Sequence, residues 1–324
     1  MFDPHGPANR DDVARPYRDL QSRIADIGGE FHTLDVFEDR GQAPDVVLFL
    51  EVPPDPVERI LRWCPNAVPW AALQECEVVL PRNWVRSRHE EFDRIFTWND
   101  TWVDQSRYFK LNFPNPIPTA RPSQTRVRDR FAALIAGNKR SAHEKELYSE
   151  RVSTVRWYEL NHPELLDLYG LGWDVHPGAG PLSRRLEGPI RRAIRRPAFP
   201  SWRGTVVSKL ETLESYRFCI CYENARDIPG YITEKIFDCF FAGTIPVYWG
   251  APNISTHVDP ASFIDRRKFS THEALHEFLT TLDDSEVAAY RAAGADFVKS
   301  HDMDQFSSDG FVDTLMKHLD HRPI

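Results

Sequence analysis

The sequence predicts an α/β protein built from two Rossmann-like domains that face each other across a cleft. Three observations carry that prediction. Short apolar runs of strand length alternate with helix-periodic segments, the pattern that βαβ units leave in a chain. Several of the runs are apolar almost throughout, as expected of parallel strands covered on both faces. The alternation is interrupted at residues 112–124, where NFPNPIPTARPSQ sets four prolines in a polar stretch and reads as a linker. A length of 324 residues suits about two domains.

The elements follow in order. Residues 11–28 read as a helix, because Leu20, Ile24 and Ile27 recur at helical spacing and Gly28-Gly29 stops the run. FHTLDVF, residues 31–37, reads as a strand. Asp45 to Leu50 reads as a strand buried on both faces and ended by Pro53-Pro54. Residues 55–63 read as a helix, 73–80 as a strand with the loop leaving it, and 92–98 as a strand after a helical turn. Beyond the linker, Phe131 to Ala136 is a strand followed by Gly137-Asn138-Lys139. Residues 146–160 form a helix, 166–170 a strand with a glycine exit, 205–207 a short strand, and 213–222 a strand that ends at Glu223-Asn224. A helix over 232–242 is stopped by Gly243, strands follow at 244–250 and 262–265, and helices near 271–282, 285–299 and 310–320 close the chain. The expected division is 1–122, 123–300 and a helical tail 301–324 that packs back on the N-terminal domain. Two α/β domains of this kind describe the GT-B glycosyltransferases, among other enzymes, so the architecture alone assigns no function.

Composition narrows the classes. The chain carries 40 basic and 48 acidic residues, net −8, which argues against a nucleic-acid binder. Aromatics make up 12%, and most belong to a core. Trp98, Trp102, Trp173 and Trp202 are the candidates for stacking on sugars. Five cysteines without a C-x-x-C pair read as reduced thiols. The polar start, MFDPHGPANRDD, has no signal-peptide core, and no run of about 18 apolar residues occurs. These features predict a cytoplasmic protein. Arg184, Arg185, Arg191, Arg192, Arg195, Arg196 and Arg203 stand with a single acid, Glu187. That stretch reads as a solvated loop, or as a peripheral contact with an anionic inner-membrane surface. No heptad repeat is present, which favours a monomer.

The most informative segment is 216–252, YRFCICYENARDIPGYITEKIFDCFFAGTIPVYWGAP. A strand runs into Glu223-Asn224, a Pro-Gly turn follows, and a helix opens near Tyr231-Ile232-Thr233-Glu234-Lys235. Free N–H groups at a helix start, with a lysine in the first turn, favour a diphosphate. The competing reading is Thr233 as an N-cap, Tyr231 as a helix-entry staple and a surface Glu-Lys pair.

These residues resemble the donor-binding signature of the α-1,3-fucosyltransferases, glycosyltransferase family 10. Tyr222-Glu223-Asn224, Tyr231-Ile232-Thr233-Glu234-Lys235, Pro246-Val247-Tyr248-Trp249-Gly250 and Asp259-Pro260-Ala261-Ser262-Phe263-Ile264 all match it, over roughly 50 residues. The resemblance implies an inverting enzyme that moves L-fucose from GDP-β-L-fucose to a sugar hydroxyl, with O3 of N-acetylglucosamine in an oligosaccharide or glycolipid as the family's acceptor. It implies a role in glycan assembly, including protein glycosylation, with no cofactor and no divalent metal required. The short Asp302-Met303-Asp304 lies far from the signature.

By the same resemblance, Arg151 meets the donor diphosphate, with Arg156 as its rival. Glu75 is the general base, with Glu77 and more distantly Glu51 as rivals. Cys76 and Glu77 depart there from the Ser and Pro of the family. Glu234 offsets oxocarbenium charge as a second catalytic carboxylate. Glu223, Asn224, Tyr231, Thr233 and Lys235 complete the donor site. The competing assignments are a GT-B enzyme for another nucleotide sugar and a non-catalytic glycan- or nucleotide-binding relative.

Overall fold

The structure, a computed structural model, describes residues 12–118, 128–174 and 198–320. In the first half, helix α1 (Arg15–Asp26) carries Pro16 in its opening turn, where a missing N–H costs nothing, and buries Leu20. Helix α2 (Leu34–Arg40) replaces the strand expected at 31–37. The alternation of FHTLDVF fits both periods, but Leu34 and Phe37 lie one turn apart. Leu34 packs on the core, and Gly41 closes the helix at φ 64°.

Strands β1 (Val46–Leu50), β2 (Val68–Leu73), β3 (Arg94–Thr97) and β4 (Tyr108–Lys110) form one parallel sheet in that order. Helix α3 (Val57–Ile60) joins the first two. β1 lies at the sheet edge, so its residues are half-buried and Leu50 is exposed, not covered on both faces. The buried strand is β2, which starts five residues before the expected one and ends at Leu73. Residues 74–80 are loop and turn.

The second half holds β5 (Arg130–Ile135), β6 (Leu166–Tyr169), β7 (Tyr216–Tyr222), β8 (Ile245–Trp249) and β9 (Ile264–Asp265), all parallel, in the order β6-β5-β7-β8-β9. Helix α4 (Tyr148–Asn161) joins β5 to β6, α5 (Lys209–Leu213) precedes β7, and α6 (Glu234–Ala242) joins β7 to β8. The strand expected at 205–207 is irregular chain, because only Trp202 bridges to Leu168 there. β6 and β7 flank β5 on opposite sides, so the winding reverses at β5. In such sheets the crevice at the strand C-termini beside the reversal is where ligands sit.

Helices α7 (His272–Thr281), α8 (Asp284–Lys299) and α9 (Ser308–Asp320) follow. A full capping box, Asp283 with Glu286, opens α8. Helix α9 crosses to the first sheet, where Phe311, Val312 and Leu315 share a core with Leu20, Trp70 and Phe96. A separate apolar seam joins the halves, with Cys76 and Trp98 packed on Ala225, Ile228 and Tyr231.

All five cysteines are free and buried. Trp98 and Trp173 are 2% and 1% exposed, so both are core residues closed to a sugar ring. Trp102 and Trp202 are half-buried. Arg184 to Arg196 lie outside the described residues, and Arg203 pairs with Asp167 at 2.6 Å. Asp302 and Asp304 sit on the 3-10 turn His301–Phe306. Among the described residues no helix is long and apolar enough to cross a membrane.

Candidate active site

β5 and β7 pair side by side at the winding reversal, and a cleft of about 430 Å³ opens at their C-terminal ends. Glu75 and Phe113 reach it from the first half, while Arg151, Asn224, Tyr231, Thr233, Glu234 and Lys235 reach it from the second. A larger cavity of about 850 Å³ lies between α1, α2, β1 and α9, but its lining is chiefly aliphatic and aromatic. The clustered charges are in the smaller cleft.

Glu223, the first residue past β7, is fully buried. It does not line the cleft. Its carboxylate accepts from the Thr233 N–H (2.8 Å) and hydroxyl (2.6 Å), and Lys235 Nζ stands 3.2 Å away. Thr233 occupies the N-cap position of α6 with extended backbone, yet its hydroxyl bonds Glu223 and not the helix. Lys235 Nζ donates to Thr233 Oγ1 at 2.8 Å. Burial works against the Lys235 charge, but Glu223 and Glu234 outweigh it and raise its pKa, so the ammonium persists. Burial likewise pushes Glu234 up, and Lys235 and Lys209 overcome this and hold its carboxyl well below the usual range. Glu234 therefore stays ionised at neutral pH and suits charge stabilisation better than proton transfer.

Lys209, absent from the sequence reading, also lines the cleft and pairs with Asp238 (2.8 Å) and Glu234 (3.4 Å). No local signal marks it, since only packing sets α5 beside α6. Lys139, just past β5, is a further lining cation.

Arg151 is 4% exposed. It donates to the Tyr222 carbonyl (2.7 Å) and to Asn224 Oδ1 (3.0 Å), which aims the guanidinium at the end of β7. Arg156 points elsewhere, over the Phe199 ring at 3.8 Å and onto Glu159 at 2.6 Å. If Arg151 meets the diphosphate as the resemblance implies, Arg151→Ala weakens GDP affinity at least tenfold and Arg156→Ala stays within twofold, as titration calorimetry will read. Equal losses would remove the assignment. Tyr231 is fully buried, its ring centroid 4.7 Å from that of Trp98, so it forms the wall between the halves.

Glu75 is the second residue past β2. Burial raises its pKa, while Lys235 and Lys139 act in the opposite direction. Its loop is fixed from both sides, by Trp98 Nε1 on the Gln74 carbonyl (2.7 Å) and Asn83 Nδ2 on the Glu75 carbonyl (3.1 Å). Glu77 faces His143 at 3.3 Å and Glu51 lies behind the loop; neither lines the cleft.

A second contact fixes the halves beside the site. Asp100 accepts from Lys110 (2.5 Å), Asn253 (2.7 Å) and His257 (2.8 Å). Burial raises the Asp100 pKa, and these three donors overcome it and hold the carboxyl well below its usual range. Gly230, at φ +81°, brings its backbone so close that a Cβ would stand 2.3 Å from the Trp98 carbonyl oxygen.

Residues 197–292 match the family model "Glycosyltransferase family 10 (fucosyltransferase) C-term". Over 77 residues, 24% of this chain, the identity to Alpha-(1,3)-fucosyltransferase FucT of Helicobacter pylori is 38%, and this covers 16% of that protein. Over 240 residues, 70% of this chain, the identity to Alpha-(1,3)-fucosyltransferase 7 of Rattus norvegicus is 27%, covering 51% of it. The chain thus matches about half or less of the length of these curated relatives. Among solved structures, one titled alpha1,3-Fucosyltransferase aligns at TM-score 0.51 and 18% identity, over 87% of this chain and 80% of that one. Anabaena Alr3699/HepE in complex with UDP aligns at TM-score 0.62 and 10% identity, over 99% and 98%. At those identities both share the fold, which is of the GT-B type.

Proposed function

We propose that this chain, which carries a glycosyltransferase family 10 domain at residues 197–292, is an inverting fucosyltransferase. It moves L-fucose from GDP-β-L-fucose to a hydroxyl of a glycan acceptor, O3 of N-acetylglucosamine or a related sugar. One observation carries the reading: a carboxylate from one half, Glu75, opposes a set of cations from the other, Arg151 and Lys235, across a single cleft. Inversion requires attack from the face opposite the leaving group, and this division of charge supports that reading.

The acceptor hydroxyl gives its proton to Glu75 as its oxygen bonds the anomeric carbon. The bond from that carbon to the diphosphate breaks, and the electron pair leaves with GDP. Arg151, Lys235 and the N–H groups opening α6 take up the new charge. Ionised Glu234 faces the oxocarbenium-like centre. Asn224, anchored by Arg151, and the Thr233–Glu223 pair hold the donor loop in place.

A donor panel tests this. GDP should be released with GDP-fucose and a lactosamine-type acceptor, and not with GDP-mannose or UDP-sugars. Because lysine and arginine meet the diphosphate, EDTA should leave the rate unchanged. Silence with GDP-fucose across a broad acceptor array would sink the reading.

A further inference from the structure

We infer that Glu51 is a positioning residue that holds the loop bearing Glu75 in its working geometry. The inference rests on Glu75 acting as the base and adds a residue to that mechanism. Glu51 closes β1 at φ +75°, a left-handed conformation that a non-glycine residue adopts only when its surroundings impose it. Those surroundings are the next strand and its loop. The Glu51 N–H donates to the Ala72 carbonyl at 3.0 Å. Its carboxylate then spans the C-terminal ends of β1 and β2. One oxygen accepts from the N–H of Gln74 (3.1 Å) and Glu75 (2.9 Å), and the other accepts from Gln74 (3.2 Å) and Asn83 Nδ2.

Asn83 is buried on the turn Pro81–Trp84 and completes the arrangement. Its amide also donates to the Glu75 carbonyl and accepts from the Val52 N–H at 3.0 Å. Thus the backbone on both sides of the Glu75 side chain is fixed by one Glu-Asn pair, and the Glu75 carboxylate is left to the cleft. With its oxygens on backbone donors and no place in the cleft lining, Glu51 is not the base.

The clamp also titrates. Burial raises its pKa to about 7, against the lowering pull of the Glu75 N–H, Asn83 and the Gln74 N–H. Glu75 itself faces it from the loop, Tyr17 from α1, and Arg82, which donates to the Val52 carbonyl, from the turn. Ionised, the carboxylate serves every donor aimed at it. Protonated, it turns an O–H toward N–H groups and loses acceptor capacity. Because the clamped site raises this pKa above that of an exposed carboxyl, protonation favours the clamped state, so the loop stays in place as the pH falls through about 7 and only the acceptor pattern met by the Gln74 and Glu75 N–H groups changes.

The test compares the full chain with Glu51→Gln, Asn83→Ala and the double variant. In the unsubstituted protein the Gln74 and Glu75 amide resonances should titrate with a midpoint near pH 7, and in Glu51→Gln that step should vanish. Transfer kcat should fall roughly ten- to hundredfold in each single variant, and no further in the double, with GDP affinity within twofold. The acid limb of kcat should move to lower pH in Glu51→Gln. Amides that do not titrate overturn the inference whatever donor the protein uses. A lower thermal midpoint with an unmoved acid limb overturns it too, since that is a structural role alone. A titrating loop in a protein inert toward GDP-fucose would instead refute the fucosyltransferase reading while the clamp stands.

Discussion

Glu75→Gln is expected to lower fucosyl transfer by roughly 10²- to 10⁴-fold, the span that a single general base supplies. GDP affinity should stay within twofold, because Glu75 reaches the cleft from the first half and the cations proposed to meet the diphosphate reach it from the second. The variant keeps the shape of the side chain and the backbone bonds from Glu51 and Asn83, so the loss is one of basicity. Burial raises the Glu75 pKa, and the base must be ionised to accept a proton. The rate of the unsubstituted protein therefore declines on the acid side, and that limb belongs jointly to Glu75 and Glu51, which interact. Glu77→Gln is the control. Its pairing with His143 is partly exposed, and such pairs contribute about 0–1 kcal/mol. Steady-state transfer with each variant decides the matter: full activity in Glu75→Gln, or a collapse confined to Glu77→Gln, would move the base two residues along the chain.

The second half is legible in the sequence because local and tertiary signals agree there. β7, α6 and β8 are apolar runs of the right length, bounded by Glu223-Asn224 and Gly243, and the structure keeps the expected bounds within three residues. The first half is harder to read for identifiable reasons. Residues 31–37 carry a pattern that fits two periods, and packing of half-buried Leu34 against the core selects the helix. β1 has the composition of a central strand yet sits at the sheet edge, where its residues are half-buried and Leu50 is exposed. β4 has three residues, too few to show alternation.

Within the cleft, the residues found from sequence lie on the signature or just after a strand, apart from Arg151, which is in the first turn of α4. Those missed depend on contacts between distant segments. Asn253 meets Asp100 across 153 positions, and Lys209 joins Glu234 only because α5 packs along α6. Glu223 illustrates the remaining gap. Its place in the signature is evident, but only the structure shows that its carboxylate faces inward, toward Thr233 and Lys235, while the cleft is lined by its neighbours.

That inward carboxylate carries the largest expected stability effect in the site. Glu223→Ala should destabilise the second half by about 3–5 kcal/mol, the cost of leaving one member of a buried ion pair uncompensated. Three donors lose their acceptor at once: the Thr233 N–H, the Thr233 hydroxyl and Lys235 Nζ. Glu223 also opposes the desolvation of Arg151, so the two cations would confront each other with less negative charge between them. The Tyr248 hydroxyl and Glu223 Cγ, which a Cβ on Gly250 would meet at 2.4 and 2.5 Å, show how closely the pocket around this side chain is filled. Alanine there leaves a void beside a cation. Glu223→Gln separates the two components, since it keeps the volume and one acceptor and removes the charge. It should recover part of the thermal midpoint but not donor binding, because Lys235 loses the counter-charge that raises its pKa and holds it against Thr233. Thermal unfolding and GDP titration of both variants supply the check. If Glu223→Ala melted with the unsubstituted protein and bound GDP as well, the Glu223–Thr233–Lys235 chain would not be what orders the start of α6.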